Sequence, residues 1–204
     1  MHIEDTYREI SATFQAIYKE KGSKFIAHAF PVKNEKDINN ILTEIKKKYH
    51  DARHYCYSWI LNPDKSAYRI NDDGEPSGSA GRPIHRQLLS YNLTNTLLVV
   101  VRYFGGTKLG LSGLTNAYKT AARDVLKLSN IVEKKIKDTY LLDFTYDDLN
   151  TVMKILKDED LNPFDQDFGV SCKLKFSVRK KESERIFQKF EQIHTIKIKY
   201  TETI

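Results

Sequence analysis

Thr96-Leu97-Leu98-Val99-Val100-Val101-Arg102-Tyr103-Phe104, followed at once by Gly105-Gly106-Thr107-Lys108-Leu109-Gly110, is the stretch on which the fold turns. From Leu97 to Val101 it is apolar at every position, so both faces are buried, as in the central strand of a sheet. A glycine-rich loop follows the strand. Ser112–Leu128 then reads as a helix with Ser112 as N-cap, and Leu114, Ala117, Ala121 and Val125 fall on one stripe.

Strand, glycine loop and helix N-terminus in succession bring unpaired backbone N–H groups and the positive end of a helix dipole together, an arrangement suited to anions. Arg102 and Lys108 add charge. No Gly-Lys-Ser/Thr closes the loop, so it is not a Walker A motif, and the Gly-x-Gly-x-x-Gly dinucleotide spacing is absent. A tight strand-to-helix crossover would also call for glycine. An arginine ending an apolar strand argues for more, because a buried unpaired charge is costly. The residues expected to contact a polyanion are Arg102, Gly105, Gly106, Lys108, Gly110 and Ser112, with Arg82 from upstream. Lys119 and Arg123, four apart on the helix, extend a basic face or simply line a solvated one.

Upstream lies a second glycine-rich segment, Asp72-Asp73-Gly74-Glu75-Pro76-Ser77-Gly78-Ser79-Ala80-Gly81-Arg82-Pro83. Seven of the nine glycines of the chain lie between positions 74 and 113, which points to special backbone geometry or close approach of a ligand. Asp72, Asp73 and Glu75 either ligate magnesium, with Ser77 or Ser79 as hydroxyl donor, or pair with Arg102 or Arg82 and hold them in place. The two segments are expected side by side on one face. His54 and Cys56, two apart on a strand, form either a nucleophile pair or a small packed face. No cofactor or metal is expected.

Further out, residues 12–33 read as two strands around a turn at Lys19–Ser23. Residues 35–48 read as an amphipathic helix with Asn34 as N-cap and Ile38, Ile41, Leu42 and Ile45 at helical spacing. His54–Leu61 and Ala67–Ile70 read as strands and Ile84–Ser90 as a short helix. A boundary falls near 131–138, giving domains 1–134 and 135–204. The second reads strand, helix, strand, strand, helix, strand, at about 139–146, 147–158, 162–167, 170–179, 182–192 and 195–202. That is the ferredoxin-like βαββαβ order. The whole is therefore α+β.

Charge separates the domains. Residues 1–134 carry 20 Lys/Arg against 14 Asp/Glu, whereas 135–204 carry 13 of each, so the whole net charge of +6 sits in the first. That is either ordinary solubility charge or a modest preference for anionic partners there. Two cysteines, Cys56 and Cys172, fall in different domains, which argues against a disulfide framework and for a reducing compartment. No apolar run approaches the roughly 20 residues of a membrane span, and the sequence MHIEDTYREI lacks the pattern of a secretory signal. A cytoplasmic protein without a membrane partner is expected.

Arg53-His54-Tyr55-Cys56-Tyr57, the 72–83 segment, Leu93-Thr94-Asn95 and Val99-Val100-Val101-Arg102-Tyr103-Phe104-Gly105-Gly106-Thr107-Lys108-Leu109-Gly110 together resemble the YigZ/IMPACT family. Bacterial members often continue Ala-Gly-Gly-Leu-Val-Arg-Ala-Tyr. Here Leu111-Ser112-Gly113-Leu114-Thr115-Asn116-Ala117-Tyr118 stands instead, with Ser112 for a glycine and Asn116 for an arginine. The resemblance implies a first domain of the ribosomal protein S-five domain 2-like fold, shared with domain IV of elongation factor G, which also precedes a ferredoxin-like domain. It implies a role in translational control through RNA or a ribosome-associated protein, since eukaryotic members act there. The same superfamily holds small-molecule kinases, so a phosphate-substrate enzyme, a kinase or phosphohydrolase, is the alternative expectation.

Overall fold

The computed structural model describes residues 5–169 and 171–204. They divide into two units, Tyr7–Lys134 and a second made of Lys135–Ile204 with the N-terminal residues up to Thr6.

The first unit is built on a five-stranded antiparallel sheet. Its strands are β2 (Phe14–Glu20), β3 (Ser23–Pro31), β4 (His54–Leu61), β5 (Ala67–Asn71) and β6 (Thr96–Tyr103), in the spatial order β2-β3-β6-β4-β5. β6, apolar from Leu97 to Val101, is the middle strand, paired with β3 on one side and β4 on the other. Side chains alternate across it. Leu98 and Val100 face a core with Phe25, Ala27, Cys56 and Ile60, under helices α2 (Gly81–Ser90) and α3 (Gly110–Leu128). Leu97, Val99 and Val101 face the opposite core with Ile26 and Trp59, under helix α1 (Glu35–Lys48).

Helix α1 matches its sequence reading from end to end. Asn34 Oδ1 accepts the Asp37 amide as N-cap, and Lys46, Lys47 and Lys48 fill the last turn, where they suit the helix dipole. Helix α2 begins three residues before its sequence reading. Two strands were not read at all. β1 (Thr6–Ile10) pairs with β7 (Ile131–Lys135) in a small separate sheet, so the lysine-rich segment taken as a bare boundary is a strand. A five-residue strand ending in Glu-Lys-Lys carries almost no hydrophobic alternation, which is why it does not announce itself.

The second unit contains β8 (Lys137–Phe144), α4 (Leu149–Asp158), β9 (Pro163–Phe168), β10 (Cys172–Arg179), α5 (Ser183–Glu191) and β11 (Lys197–Thr203). Its sheet order, β11-β8-β10-β9, is the ferredoxin-like arrangement, with both helices packed through Val152, Leu156, Ile186 and Phe190. Cys56 and Cys172 are both free and buried. No helix among the described residues is long and apolar enough to cross a membrane.

Candidate functional site

Arg102 stands opposite Phe25 of β3 and His54 of β4. It has the parity of Leu98 and Val100, so its side chain turns under α3 rather than emerging from the strand end. There Nη1 donates to Glu75 Oε1 at 2.6 Å, with side-chain exposures of only 7% and 4%. The hydroxyl of Tyr118, from α3, donates to the same oxygen at 2.8 Å. The guanidinium carbon sits 5.6 Å from the ring centres of both Phe25 and Phe104. Arg102 Nε and Ser79 Oγ are buried without a hydrogen-bond partner among the described residues.

The expected juxtaposition of the two glycine segments is therefore present, and Glu75 is the acid that makes it. Arg102 makes the expected pair with an acid of the 72–83 segment, and makes it in a buried setting. Its charge is spent on Glu75 inside the fold, so it does not offer a free guanidinium to an external anion. Tyr118 was not read as part of this group. Its one sequence signal is its place beside Ala117 and Ala121 on the buried face of α3, where a phenolic hydroxyl must find a partner.

Asp72 and Asp73 are also consumed internally. Asp72 Oδ1 accepts the amides of Ala80 and Gly81 at 3.0 and 2.8 Å, and Oδ2 accepts the Gly78 amide at 2.8 Å. Burial pushes its carboxyl up, but these three N–H groups and the nearby Arg82 charge outweigh that and hold it below the ordinary carboxylate range. Asp72 thus fills the start of α2, which explains why that helix begins at Gly81. Asp73 Oδ2 accepts the Tyr55 amide at 2.7 Å. With their oxygens so engaged, the three acids do not converge as magnesium ligands. No group of three His, Cys, Asp or Glu that could hold a metal is found among the described residues. Ser77 is exposed and Ser79 fully buried, so the two hydroxyls do not share one environment.

The nucleophile-pair reading of His54 and Cys56 gives way to the packed one. His54 Nδ1 is bonded to the Asp73 carbonyl at 2.9 Å, and Cys56 Sγ lies 3.0 Å from the Asp72 carbonyl and 3.3 Å from the Tyr118 hydroxyl. Burial pushes the Cys56 thiol far up; the Tyr118 hydroxyl opposes that, and the negative Glu75, Asp73 and Asp72 reinforce it. A thiol so held is inert. Burial, followed by Cys56 and Glu75, likewise raises the Tyr118 hydroxyl, so it stays protonated and donates.

The glycines of the second segment divide into two kinds. A Cβ on Gly105 would lie 1.9 Å from the Gly22 carbonyl carbon, because the β2–β3 turn is pressed against this point; the Gly105 amide also donates to Ser23 Oγ at 3.2 Å. Gly105 is thus a packing glycine. Gly106 and Gly110 have φ of +85° and +71° with nothing within 4 Å of an added Cβ, so their backbone lies open. Helix α3 starts at Gly110 with Leu109 at the N-cap position and no side-chain capping bond. Ser112 therefore lies inside the first turn and is not the N-cap.

What reaches the surface here is mostly positive. Lys108, Arg82 and Arg53 are exposed and Lys24 is half-buried. None of the four makes an ion pair among the described residues. Lys24 stands opposite Tyr103, and Arg53 immediately precedes His54, which stands opposite Arg102. Nearby acids are taken up: Asp51 accepts the Tyr103 hydroxyl at 2.7 Å and Glu20 the Tyr18 hydroxyl at 2.8 Å. Arg123 turns onto Asp124 at 3.2 Å while Lys119 is exposed, so the basic face on α3 shrinks to one residue. In the second unit Arg185 and Lys189 close on Glu159, holding its carboxyl down at about 2, and Arg179 closes on Asp5.

The sequence profile described as the Impact N-terminal domain matches residues 21–126. The IMPACT family member YvyE of Bacillus subtilis (strain 168) is 39% identical over 114 residues, 56% of this chain and 52% of that protein. The chain thus spans about half the length of that relative. An IMPACT family member of Haemophilus influenzae is 30% identical over 166 residues, 80% of this chain and 81% of its own length. A crystal structure of a hypothetical protein superposes with a TM-score of 0.74 over 98% of this chain and 99% of its own, at 24% identity, a likeness of fold.

Proposed function

The chain belongs to the Impact N-terminal domain family, and from that premise we propose that it is a non-catalytic accessory factor in translational control. It binds RNA through the face formed by the 72–83 and 102–110 segments. One observation carries this reading: among the described residues Lys24, Arg53 and Lys108 make no ion pair, while Glu75 is paired with Arg102 inside the fold and Asp72, Asp73 and Asp51 are hydrogen-bonded to amides or a hydroxyl. A surface so arranged attracts a polyanion and gains affinity by releasing its counterions. Gly106 and Gly110 leave the backbone accessible beside Lys108. In this reading Arg102 acts as an internal strut, and the contacts fall to the exposed cations. The translational setting rests on the family resemblance.

The test is co-sedimentation with ribosomes, and titration of a labelled RNA, each at two salt concentrations. Binding that weakens steeply with salt is expected. A thermal melt with Mg²⁺ and ATP or GTP separates the kinase reading: no shift is expected, because a ligand held by the native state would raise the melting temperature.

A further inference from the structure

We propose that Phe104 is a stacking platform for a base of single-stranded RNA, with Lys108 taking a flanking phosphate. This rests on the RNA reading of the same face and names the form of RNA it takes.

Phe104 is 54% exposed at the end of the central strand, directly after Tyr103. The Arg102 guanidinium lies 5.6 Å from its ring centre, and that guanidinium is itself fixed by Glu75. The ring is therefore braced from the protein side and open on the other. Preorganisation of this kind lowers the ordering cost of binding. The residues that follow, Gly105 and Gly106, have no side chains to shield it. Lys24 of β3, opposite Tyr103, and Arg53, just before β4, go with Tyr103 on the other parity, so the charge beside the ring comes from the loop. Lys108 follows four residues later in the loop.

An exposed aromatic ring beside a guanidinium, two glycines and a loop lysine differs from a protein-docking patch, which has an apolar centre depleted of charge. It fits a strand whose bases are unstacked and whose phosphates run alongside. Phenylalanine has no hydrogen-bonding group, so it reads only the face of a base. The site is accordingly tolerant of sequence and intolerant of duplex, whose bases are already stacked.

The experiment uses the full chain and three fluorescein-labelled probes: a 12-nucleotide oligouridylate, a 12-base-pair RNA duplex, and an abasic 12-mer of equal charge. Oligouridylate should bind the wild type about tenfold more tightly than the abasic strand, the size of one stacking contact. Phe104→Ala should bring oligouridylate down to the abasic level while leaving abasic binding and the salt slope unchanged. Phe104→Trp should keep the affinity, and its indole emission should be quenched by oligouridylate. Equal melting temperatures would show that all variants fold. If Phe104→Ala binds oligouridylate like the wild type while Lys108→Ala binds it more weakly, stacking is overturned and the RNA reading stands. Preference for the duplex overturns stacking in the same way. If the wild type binds none of the probes, both are overturned, and a protein partner becomes the reading to pursue.

Discussion

Arg102 and Glu75, 27 residues apart in the chain, meet at 2.6 Å with both side chains almost wholly buried. Two glycine-rich segments are thereby fastened together beneath the surface they form. Removing one partner of a buried pair leaves the other charge stranded, at about 3–5 kcal/mol. Arg102→Ala and Glu75→Ala should each lower stability by that order in urea melts. The double variant Arg102→Met/Glu75→Leu should recover most of the loss. Single variants within about 1 kcal/mol of wild type would refute the strut.

Lys108 should behave in the opposite way. It is exposed and pairs with no acid among the described residues, so Lys108→Ala should change stability by no more than about 0.5 kcal/mol. In RNA titrations it should weaken binding evenly across sequences and reduce the salt slope by roughly 0.7. A changed melting curve with an unchanged slope would count against a direct phosphate contact.

The two kinds of glycine predict different costs. Gly105→Ala forces a methyl group into the Gly22–Ser23 backbone, although φ at Gly105 lies outside the left-handed region. Overpacking against backbone of this kind should cost about 3 kcal/mol or more. Gly106→Ala meets open space and carries only the strain of a positive φ, about 1–2 kcal/mol. Denaturant melts of the two variants should rank in that order.

His28 gives a pH dependence of defined sign. It is 3% exposed, and its Nε2 lies 2.8 Å from the Tyr49 hydroxyl. Burial, and then the Lys48 charge, lower its pKa from the ordinary 6.5 to about 4. The unfolded chain therefore binds a proton in the window between these values and the native state does not. The contribution of His28 is complete above pH 6.5 and is lost as the pH falls towards 4. The loss should be on the order of 2–3 kcal/mol at the bottom of that window. Melting temperatures from pH 7 to pH 4 should fall less steeply for His28→Gln than for the wild type.

Much of this architecture was legible in the sequence because it rests on short-range pattern. The continuous apolar run of β6, the 3.6-residue stripe and cap of α1, and the element order of the ferredoxin-like unit each carry their own signal. The glycine clustering also showed that two distant segments share one face. What the sequence left open depends on side-chain direction. Arg102 was expected to contact a polyanion, yet its parity with Leu98 and Val100 turns it inward onto Glu75. Ser112 was expected to cap α3, yet the helix begins two residues earlier. Tyr118 stayed hidden because a hydroxyl inside an apolar stripe looks like packing until its partner is seen.

The carboxylate of Asp72 holds three amides, at Gly78, Ala80 and Gly81, from six to nine residues away. Until those bonds close, the first turn of α2 has nothing to nucleate on, and until α2 is wound they have nowhere to close. Loop and helix thus form and open as one cooperative element. The three amides should share a single hydrogen-exchange rate, in contrast to the unengaged backbone around Gly106. In effect the chain brings its own counter-ion to the head of one helix. That position is closed to phosphate from outside, and the glycine run between residues 72 and 81 forms part of the framework.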